Sequence, residues 1–417
     1  MSKRATVRQC AILAGGLATR LGAISAATPK PALRIGDRPF LAWQLQELSR
    51  FGVEEILFLT GHLSDALRHT VDAIAADLPR PLAIRYSEEP MRAGTGGALF
   101  HAAAQLDEKF LLCNGDSLFD TNIAQLLADG SRDPSDTRAR MTVREVADPA
   151  RYGIVAMTAD RVTAFHERPP SDHSGPGRMN AGIYLLDRRI IAEISEICSL
   201  ERDVLPRLAE RGQVRATVGH GYFIDIGIPE DLARAAQELP KMLSRPALLL
   251  DRDGTINIDY GWVGSIARWE FVAGAEAAIA AATNAGWHVF IVTNQSGVAR
   301  GYYDEAAIEA LHSEIVDRLH RHGGTIDDTR HCPYHPAARH PNYRCRSDWR
   351  KPAPGMLLDL MRAWRLDPAR CVMVGDQPSD LAAAHAAGIA GHHFPGGNLA
   401  RFVAPLLASN FLADDRP

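Results

Sequence analysis

Apolar residues in this chain come in short runs, and most runs end at a glycine or an acid. "QCAILAGG" (9–16) predicts a buried strand entering a glycine turn, and "EEILFLTG" (54–61) and "KFLLCNGD" (109–116), which ends in Asp116, predict two more. Between them, "PFLAWQLQELSRFG" (39–52) has helical apolar spacing and a glycine stop, and "LSDALRHTVDAIAADL" (63–78) predicts a second helix. The alternation breaks at "ELPKMLSRP" (238–246), where two prolines flank a polar segment, and then restarts. Strands are predicted at "ALLLD" (247–251), "HVFIVTN" (288–294) and "CVMVGD" (371–376). Helices are predicted at "GAEAAIAAATNAG" (274–286), "DEAAIEALHSEIVDRLHRHG" (304–323) and "SDLAAAHAAG" (379–388). Each half therefore reads as an α/β domain, a mainly parallel sheet between two helical layers, with domains at 1–240 and 246–417. Ligands of such sheets bind beyond the carboxyl ends of the strands, so chemical residues are expected just after the apolar runs.

Length agrees with two cores, since 417 residues exceed one ordinary domain. The chain is 46% hydrophobic and 23% charged with a formal net charge of −4, and no basic run suggests a nucleic-acid surface. No apolar run reaches the length of a membrane span, and the first one is a strand rather than a secretory signal. Six scattered cysteines fit a reduced, cytoplasmic enzyme. Nothing in the sequence sets the oligomeric state, and a homo-oligomer is compatible with it.

In the first half, "LAGGLATRLG" (13–22) follows a strand directly. Gly15 and Gly16 let backbone N–H groups approach a triphosphate, and Arg20 and Lys30 supply cations. Asp116 and Asp225 each close an apolar run, and two such carboxylates suit one Mg²⁺ held against phosphate oxygens. A lone strand-end aspartate would more often cap a turn; four features in order favour chemistry. With "PKPAL", "AGTGGAL", "CNGDSLFD", "FHERP", "MNAGIYLLD" and "YFIDIGIPEDL", this half resembles the sugar-1-phosphate nucleotidyltransferase family over residues 8–237. Through "ARYGIV", "SLERDVLP" and "YFIDIGIPED" it is most similar to the D-glycero-D-manno-heptose 1-phosphate guanylyltransferases. The resemblance implies that Arg20 holds the β/γ-phosphates, Lys30 the reacting phosphate, and Asp116 and Asp225 the Mg²⁺. Glu167 and the backbone of Gly153 and Asn180 would line a sugar pocket, with Arg168 near the sugar phosphate, while the loop carrying Gly94 faces the base. GTP and a heptose 1-phosphate are the implied substrates. Two positions depart from the family: Ala18 replaces a glycine, and Arg168 replaces a lysine.

In the second half, "DRDGT" places Asp251 and Asp253 on same-side positions after a strand. One carboxylate can attack phosphorus while the other protonates the leaving oxygen and later activates water. Thr293 and Asn294 in "IVTNQSG", Lys351 in "WRKPAPGM", and Asp376 and Asp380 in "MVGDQPSD" complete a phosphoryl-transfer set. Residues 247–400 resemble the haloacid-dehalogenase (HAD) phosphatases, and "LDRDGTIN", "TNQSGVARGYY" and "RKPAPGM" are similar to the heptose 1,7-bisphosphate 7-phosphatases. Histidinol-phosphate phosphatase shares that subgroup. The resemblance implies Asp251 as nucleophile and Asp253 as general acid/base. It implies Mg²⁺ on Asp251, the Asp253 carbonyl and Asp376, with Thr293 and Lys351 on the phosphoryl group and Asn294 and Arg350 toward substrate. Relatives of this group often carry a zinc loop. Here Ser347 and Trp349 replace its second pair of cysteines and His335 falls one position late. Cys332, His335 and Cys345 remain the nearest candidates, Zn²⁺ is not expected, and the loop should pack through Trp349 and Tyr343.

The two resemblances meet on one pathway, in which a heptose 1,7-bisphosphate loses its 7-phosphate and the heptose 1-phosphate is then guanylylated. Other readings stay open: a mannose or glucose phosphate with GTP or dTTP, a histidinol-phosphate-type second half, or one degenerate half kept for regulation.

Overall fold

A computed structural model describes residues 7–16, 21–22, 28–61, 64–147, 154–166 and 175–409. The chain divides into two compact units, Met1–Pro240 and Lys241–Pro417.

The first unit begins β1 (Gln9–Leu13), β2 (Arg34–Ile35), β3 (Arg38–Pro39), α1 (Phe40–Arg50), β4 (Glu55–Thr60), α2 (Ser64–Ala75), β5 (Ala83–Glu88) and α3 (Gly94–Ala102). It continues β6 (Lys109–Asn114), β7 (Ser117–Phe119), α4 (Ile123–Gly130), β8 (Ala139–Val146), β9 (Ile154–Thr158), β10 (Arg161–His166) and β11 (Gly177–Asp187). Then come α5 (Leu205–Glu210), β12 (Val214–Gly219), β13 (Phe223–Asp225) and α6 (Pro229–Met242). Among the described residues the main sheet has nine strands in the order β5-β4-β1-β6-β11-β8-β12-β10-β9. Side chains alternate between two cores, so Ala11 packs on one face of β1 and Cys10 and Ile12 on the other. The expected parallel pairing holds for β5-β4-β1-β6. Beyond β6 the sheet is mixed: β11 runs antiparallel to β6 and β8, and β10 antiparallel to β9 and β12. The β9–β10 connection shows why, since only Ala159 (φ 52) and Asp160 separate the two strands and so short a turn can only reverse the chain.

The polar break expected at 238–246 is narrower than the sequence suggests. Helix α6 runs on to Met242 with Pro240 in its last turn, where the proline forgoes one N–H bond and the helix ends two residues later.

The second unit runs β14 (Ala247–Leu250), α7 (Ala275–Asn284), β15 (His288–Asn294), α8 (Ser296–Arg300), α9 (Glu305–His320) and β16 (Asp328–Cys332). It ends with α10 (Gly355–Ala363), β17 (Cys371–Gly375), α11 (Pro378–Ala386), β18 (Ala390–His393) and α12 (Leu399–Ala408). Its sheet, β16-β15-β14-β17-β18, is parallel throughout. Leu248 and Leu250 of β14 enter one core and Ala247 and Leu249 the other, which is why this strand is apolar at every position. β14 is central, with the next strand on one side and β17 on the other. Its carboxyl end is therefore a switch point of the topology.

Candidate active sites

In the first unit the loops after β1 and β6 converge. β6 stops at Asn114, so Asp116 is not a strand end, as the sequence suggests, but sits in the tight turn before β7. Asp225 closes β13, which pairs with β7 in a separate two-stranded ribbon, Asp225 lying opposite Ser117. That register brings the two acids together. Lys30 Nζ donates to Asp116 Oδ2 at 2.8 Å, and Asp225 Oδ1 accepts from the Gly227 N–H at 2.7 Å. Burial raises the Asp225 carboxyl above its ordinary value, and the negative Asp116 adds to the effect. A buried carboxylate pushed up by a second acid beside it fits a divalent cation, which would relieve the repulsion.

Gly15 is packed: a Cβ there would fall 2.9 Å from Glu89 Oε1 and 3.4 Å from the Gly61 nitrogen. Among the described residues none comes within 4 Å of where a Gly16 Cβ would lie. Gly94 opens α3 at φ +78, where a Cβ would meet the Cys198 carbonyl oxygen at 2.5 Å. The "AGTGGAL" glycines thus seat α3 on the 196–200 segment. Asn180 lies within β11 and joins a chain that the sequence did not disclose. Its side chain contacts the Tyr184 hydroxyl, which donates to Glu201 Oε1 at 3.2 Å, and Thr95 donates to Glu201 Oε2 at 2.6 Å. "MNAGIYLLD", "SLERDVLP" and "AGTGGAL" therefore meet through Glu201. Arg20, Gly153, Glu167 and Arg168 lie outside the described residues.

In the second unit β14 delivers Asp251, β15 delivers Thr293, and the turn after β17 delivers Asp376. Lys351 Nζ lies 2.7 Å from Asp251 Oδ1, 2.7 Å from Asp380 Oδ1, and 2.7 Å from the Val292 carbonyl oxygen, which accepts its hydrogen bond. The lysine is 3% exposed. Burial pushes the Asp251 carboxyl up to about 7, with Lys351 pulling it down and Asp380 pushing it up. Asp251, Asp376 and Asp380 offer ligand atoms within 4.8 Å of one another, and among the described residues no other trio of His, Cys, Asp or Glu does so. Asp376 Oδ1 is buried without a hydrogen-bond donor, an orphan that a cation would satisfy. The fit for a divalent cation is good, and Asp380 joins the set through its spacing of four on the first turn of α11.

Asp253 has surroundings of its own. Its carboxylate accepts from Arg252 (2.9 and 3.0 Å), Asn257 (3.0 Å) and Gln295 (2.8 Å), so the side chain is not part of the acidic trio. Thr293 is buried and accepts from Gln295 at 2.8 Å. Asn294 is a correction. Its side chain pairs reciprocally with the backbone of Lys351, at 3.0 and 3.1 Å, and so fixes the lysine loop rather than reaching outward. Arg350 touches the Tyr334 carbonyl oxygen at 3.4 Å, and burial lowers its pKa. Cys332 is buried, Cys345 is exposed, and His335 Nδ1 accepts from the Ala337 N–H, so the three form no metal cluster. The loop packs Trp349 on the core below it and ties Tyr343 to Glu305.

A carboxylate nucleophile beside a buried lysine and an acidic trio, at the carboxyl edge of a parallel sheet, defines a phosphoryl-transfer site. The first unit's paired acids and lysine define a second site of related chemistry. The nucleotidyl transferase family profile matches residues 10–242 and a HAD-hydrolase-like profile matches 348–399. The chain belongs to the nucleotidyl transferase family through its first half and to the HAD-like phosphatases through its second, and it is an enzyme of both types.

The D-glycero-beta-D-manno-heptose-1,7-bisphosphate 7-phosphatase of Rhodopseudomonas palustris is 46% identical over 163 residues, 39% of this chain and 91% of that one. The Escherichia coli K12 protein of the same description is 41% identical over 146 residues, 35% and 76% of the two chains. Among solved structures, HddC from Yersinia pseudotuberculosis is 32% identical, covering 56% of this chain and all of that one, with a TM-score of 0.49. Among the described residues no helix is long and apolar enough to cross a membrane.

Proposed function

We propose that this chain carries two successive steps of nucleotide-activated heptose synthesis. The second unit removes the 7-phosphate of D-glycero-D-manno-heptose 1,7-bisphosphate. The first then joins the heptose 1-phosphate to a guanylyl group from GTP, releasing pyrophosphate. The observation that carries the reading is the buried Asp251–Lys351–Asp380 arrangement with Asp376, in a chain whose other half is a nucleotidyl transferase. Phosphatase relatives at 46% and 41% identity support the heptose substrate, and the "ARYGIV" and "YFIDIGIPED" resemblance supports the guanylyl group. A histidinol-type phosphatase would leave the first unit without a related substrate.

In the phosphatase an Asp251 oxygen bonds to phosphorus as the ester P–O bond breaks. The departing sugar oxygen takes a proton from Asp253, which then deprotonates the water that hydrolyses the aspartyl-phosphate. Lys351 and Thr293 bind the phosphoryl oxygens. Mg²⁺ on Asp251, Asp376, Asp380 and the Asp253 carbonyl would neutralise phosphate charge. In the transferase, the sugar 1-phosphate oxygen bonds to the α-phosphorus and pyrophosphate leaves in line. Lys30 and Arg20 would bind phosphate oxygens, Asp116 and Asp225 would hold a Mg²⁺ that neutralises phosphate charge, and positioning supplies the rate. By the family resemblance Glu167 would line the sugar pocket, where its charge would disfavour a second phosphate on the sugar; this supports dephosphorylation as the first step.

The test is a panel of sugar bisphosphates for phosphate release and of sugar 1-phosphates with four nucleoside triphosphates for pyrophosphate release. The heptose substrates and GTP should give the highest kcat/KM in each set. Faster turnover of histidinol phosphate, or of dTTP or ATP, would remove the corresponding half of the reading.

A further inference from the structure

The second unit has a cavity of about 450 Å³ walled by Tyr260, Trp262, Arg268, Tyr302 and Tyr303. Tyr303 belongs both to this wall and to the hydrogen bonds around Asp253. Its ring is seated between two glycines: a Cβ on Gly264 would fall 2.1 Å from the ring, and one on Gly297 2.2 Å from its hydroxyl end. The Tyr303 hydroxyl donates to Gln295 Oε1 at 2.8 Å. The other end of that amide, Nε2, donates to Asp253 Oδ2 and to Thr293 Oγ1, both at 2.8 Å. Gln295 is 1% exposed, so water does not compete for these bonds.

An amide has a donor end and an acceptor end, while a carboxylate only accepts. The Tyr303 hydroxyl on the acceptor end therefore keeps the donor end on Asp253. Burial pushes that phenol up to about 12, so it remains a donor under working conditions. Without the hydroxyl the buried amide oxygen loses its partner, and the amide, held at its donor end alone, can tilt and carry the Asp253 carboxylate with it.

We propose that Tyr303 is a positioning residue of the phosphatase: through Gln295 it fixes the Asp253 carboxyl in the orientation from which it protonates the leaving sugar oxygen. The proposal rests on the phosphatase reading above. When the ester P–O bond breaks, its electron pair goes to the leaving oxygen. A sugar alkoxide is a strong base and needs the proton from Asp253, whereas p-nitrophenolate is a weak base and leaves without one. Misplacing Asp253 therefore harms the phosphorylation step of the two esters unequally, while the later hydrolysis of the aspartyl-phosphate is common to both and a general loosening of the fold harms every step.

The experiment compares wild type and Tyr303→Phe, as full-length chains with Mg²⁺, on heptose 1,7-bisphosphate and on p-nitrophenyl phosphate. The readout is kcat/KM, which ends at phosphorylation of Asp251 and excludes the later hydrolysis that both esters share: it should fall by about 10- to 100-fold for the sugar ester and stay within about twofold for the aryl ester. In a Gln295→Leu background, Tyr303→Phe should add no further loss on the sugar ester. Equal losses of kcat/KM on both esters, or an unchanged kcat/KM on the sugar ester, would overturn the proposal. A wild type that turns over the aryl ester but not the sugar ester would sink the substrate reading as well.

Discussion

Lys30 meets Asp116 at 2.8 Å with 18% and 34% of the two side chains exposed; Lys351 meets Asp251 at 2.7 Å with 2% and 10% exposed. The first contact sits where water screens it and either partner can turn toward a triphosphate. The second is buried, shared with Asp380, and anchored by a backbone carbonyl and by Asn294. The difference follows the chemistry. A transferase that makes no covalent intermediate needs groups that close on a large, charged substrate. A phosphatase that bonds its own side chain to phosphorus needs a nucleophile held in place beforehand. The two sites should therefore respond differently to the loss of a single charge.

The largest expected effect is at the nucleophile. Asp251→Asn keeps the shape but removes the attacking anion, so phosphatase kcat should fall by about 10³-fold or more. Guanylylation of supplied heptose 1-phosphate should not change. A phosphate-release assay beside a pyrophosphate-release assay reads both, and equal losses in folded protein would break the two-site comparison.

Next is the buried lysine. Lys351→Met leaves Asp251 and Asp380 facing each other without compensation and should destabilise the second unit by about 3–5 kcal/mol. Five of the six tryptophans lie in residues 262–364, so tryptophan fluorescence during urea unfolding follows that unit. Added Mg²⁺ should restore part of the loss. The partly exposed counterpart, Lys30→Met, should cost no more than about 1 kcal/mol. A similar cost at both sites would remove the contrast.

Asp225→Asn should lower guanylyl transfer by about 100-fold, raise the Mg²⁺ concentration needed for half-maximal rate, and spare the phosphatase. An unaltered Mg²⁺ dependence would take Asp225 out of the metal set.

How much of this was legible in the sequence depended on where each contact is made. Strand-end acids showed because a parallel sheet puts them after apolar runs, and Asp251 and Asp376 follow directly from that rule. Asp380 was visible as an acid, but its place beside Asp251 depends on the start of α11 bending back over β17. The mixed half of the first sheet was missed, since an apolar run such as that of β11 marks a strand without marking its direction, and β9 and β10 mix apolar and polar positions. Gln295 and Tyr303 were quoted within a motif, yet their contact needs α8 to turn the chain between two glycines. The join through Glu201 links residues more than a hundred positions apart, which no local pattern encodes.

The smallest effect expected is on stability against pH. Burial holds His312, on α9, well below the ordinary histidine value of 6.5, with Arg252 and His331 adding repulsion. The folded side chain stays neutral while the unfolded one takes up a proton. Its contribution is thus intact above pH 6.5 and declines as the pH falls through that value, by up to about 1.4 kcal/mol per unit. Thermal unfolding followed by tryptophan fluorescence should show a lower Tm at pH 5.5 than at pH 7.5, and His312→Leu should flatten the difference. An unchanged slope in that variant would assign the acid sensitivity elsewhere.

The most direct test of two separate sites in one chain is complementation between Asp251→Asn and Asp225→Asn. Each variant alone, given heptose 1,7-bisphosphate, GTP and Mg²⁺, should form almost no GDP-heptose by mass spectrometry. An equimolar mixture should form it at a rate approaching wild type, as heptose 1-phosphate released by one variant is taken up by the other. A mixture as inactive as its components would contradict the account, and so would a 7-phosphorylated nucleotide sugar made by Asp251→Asn alone.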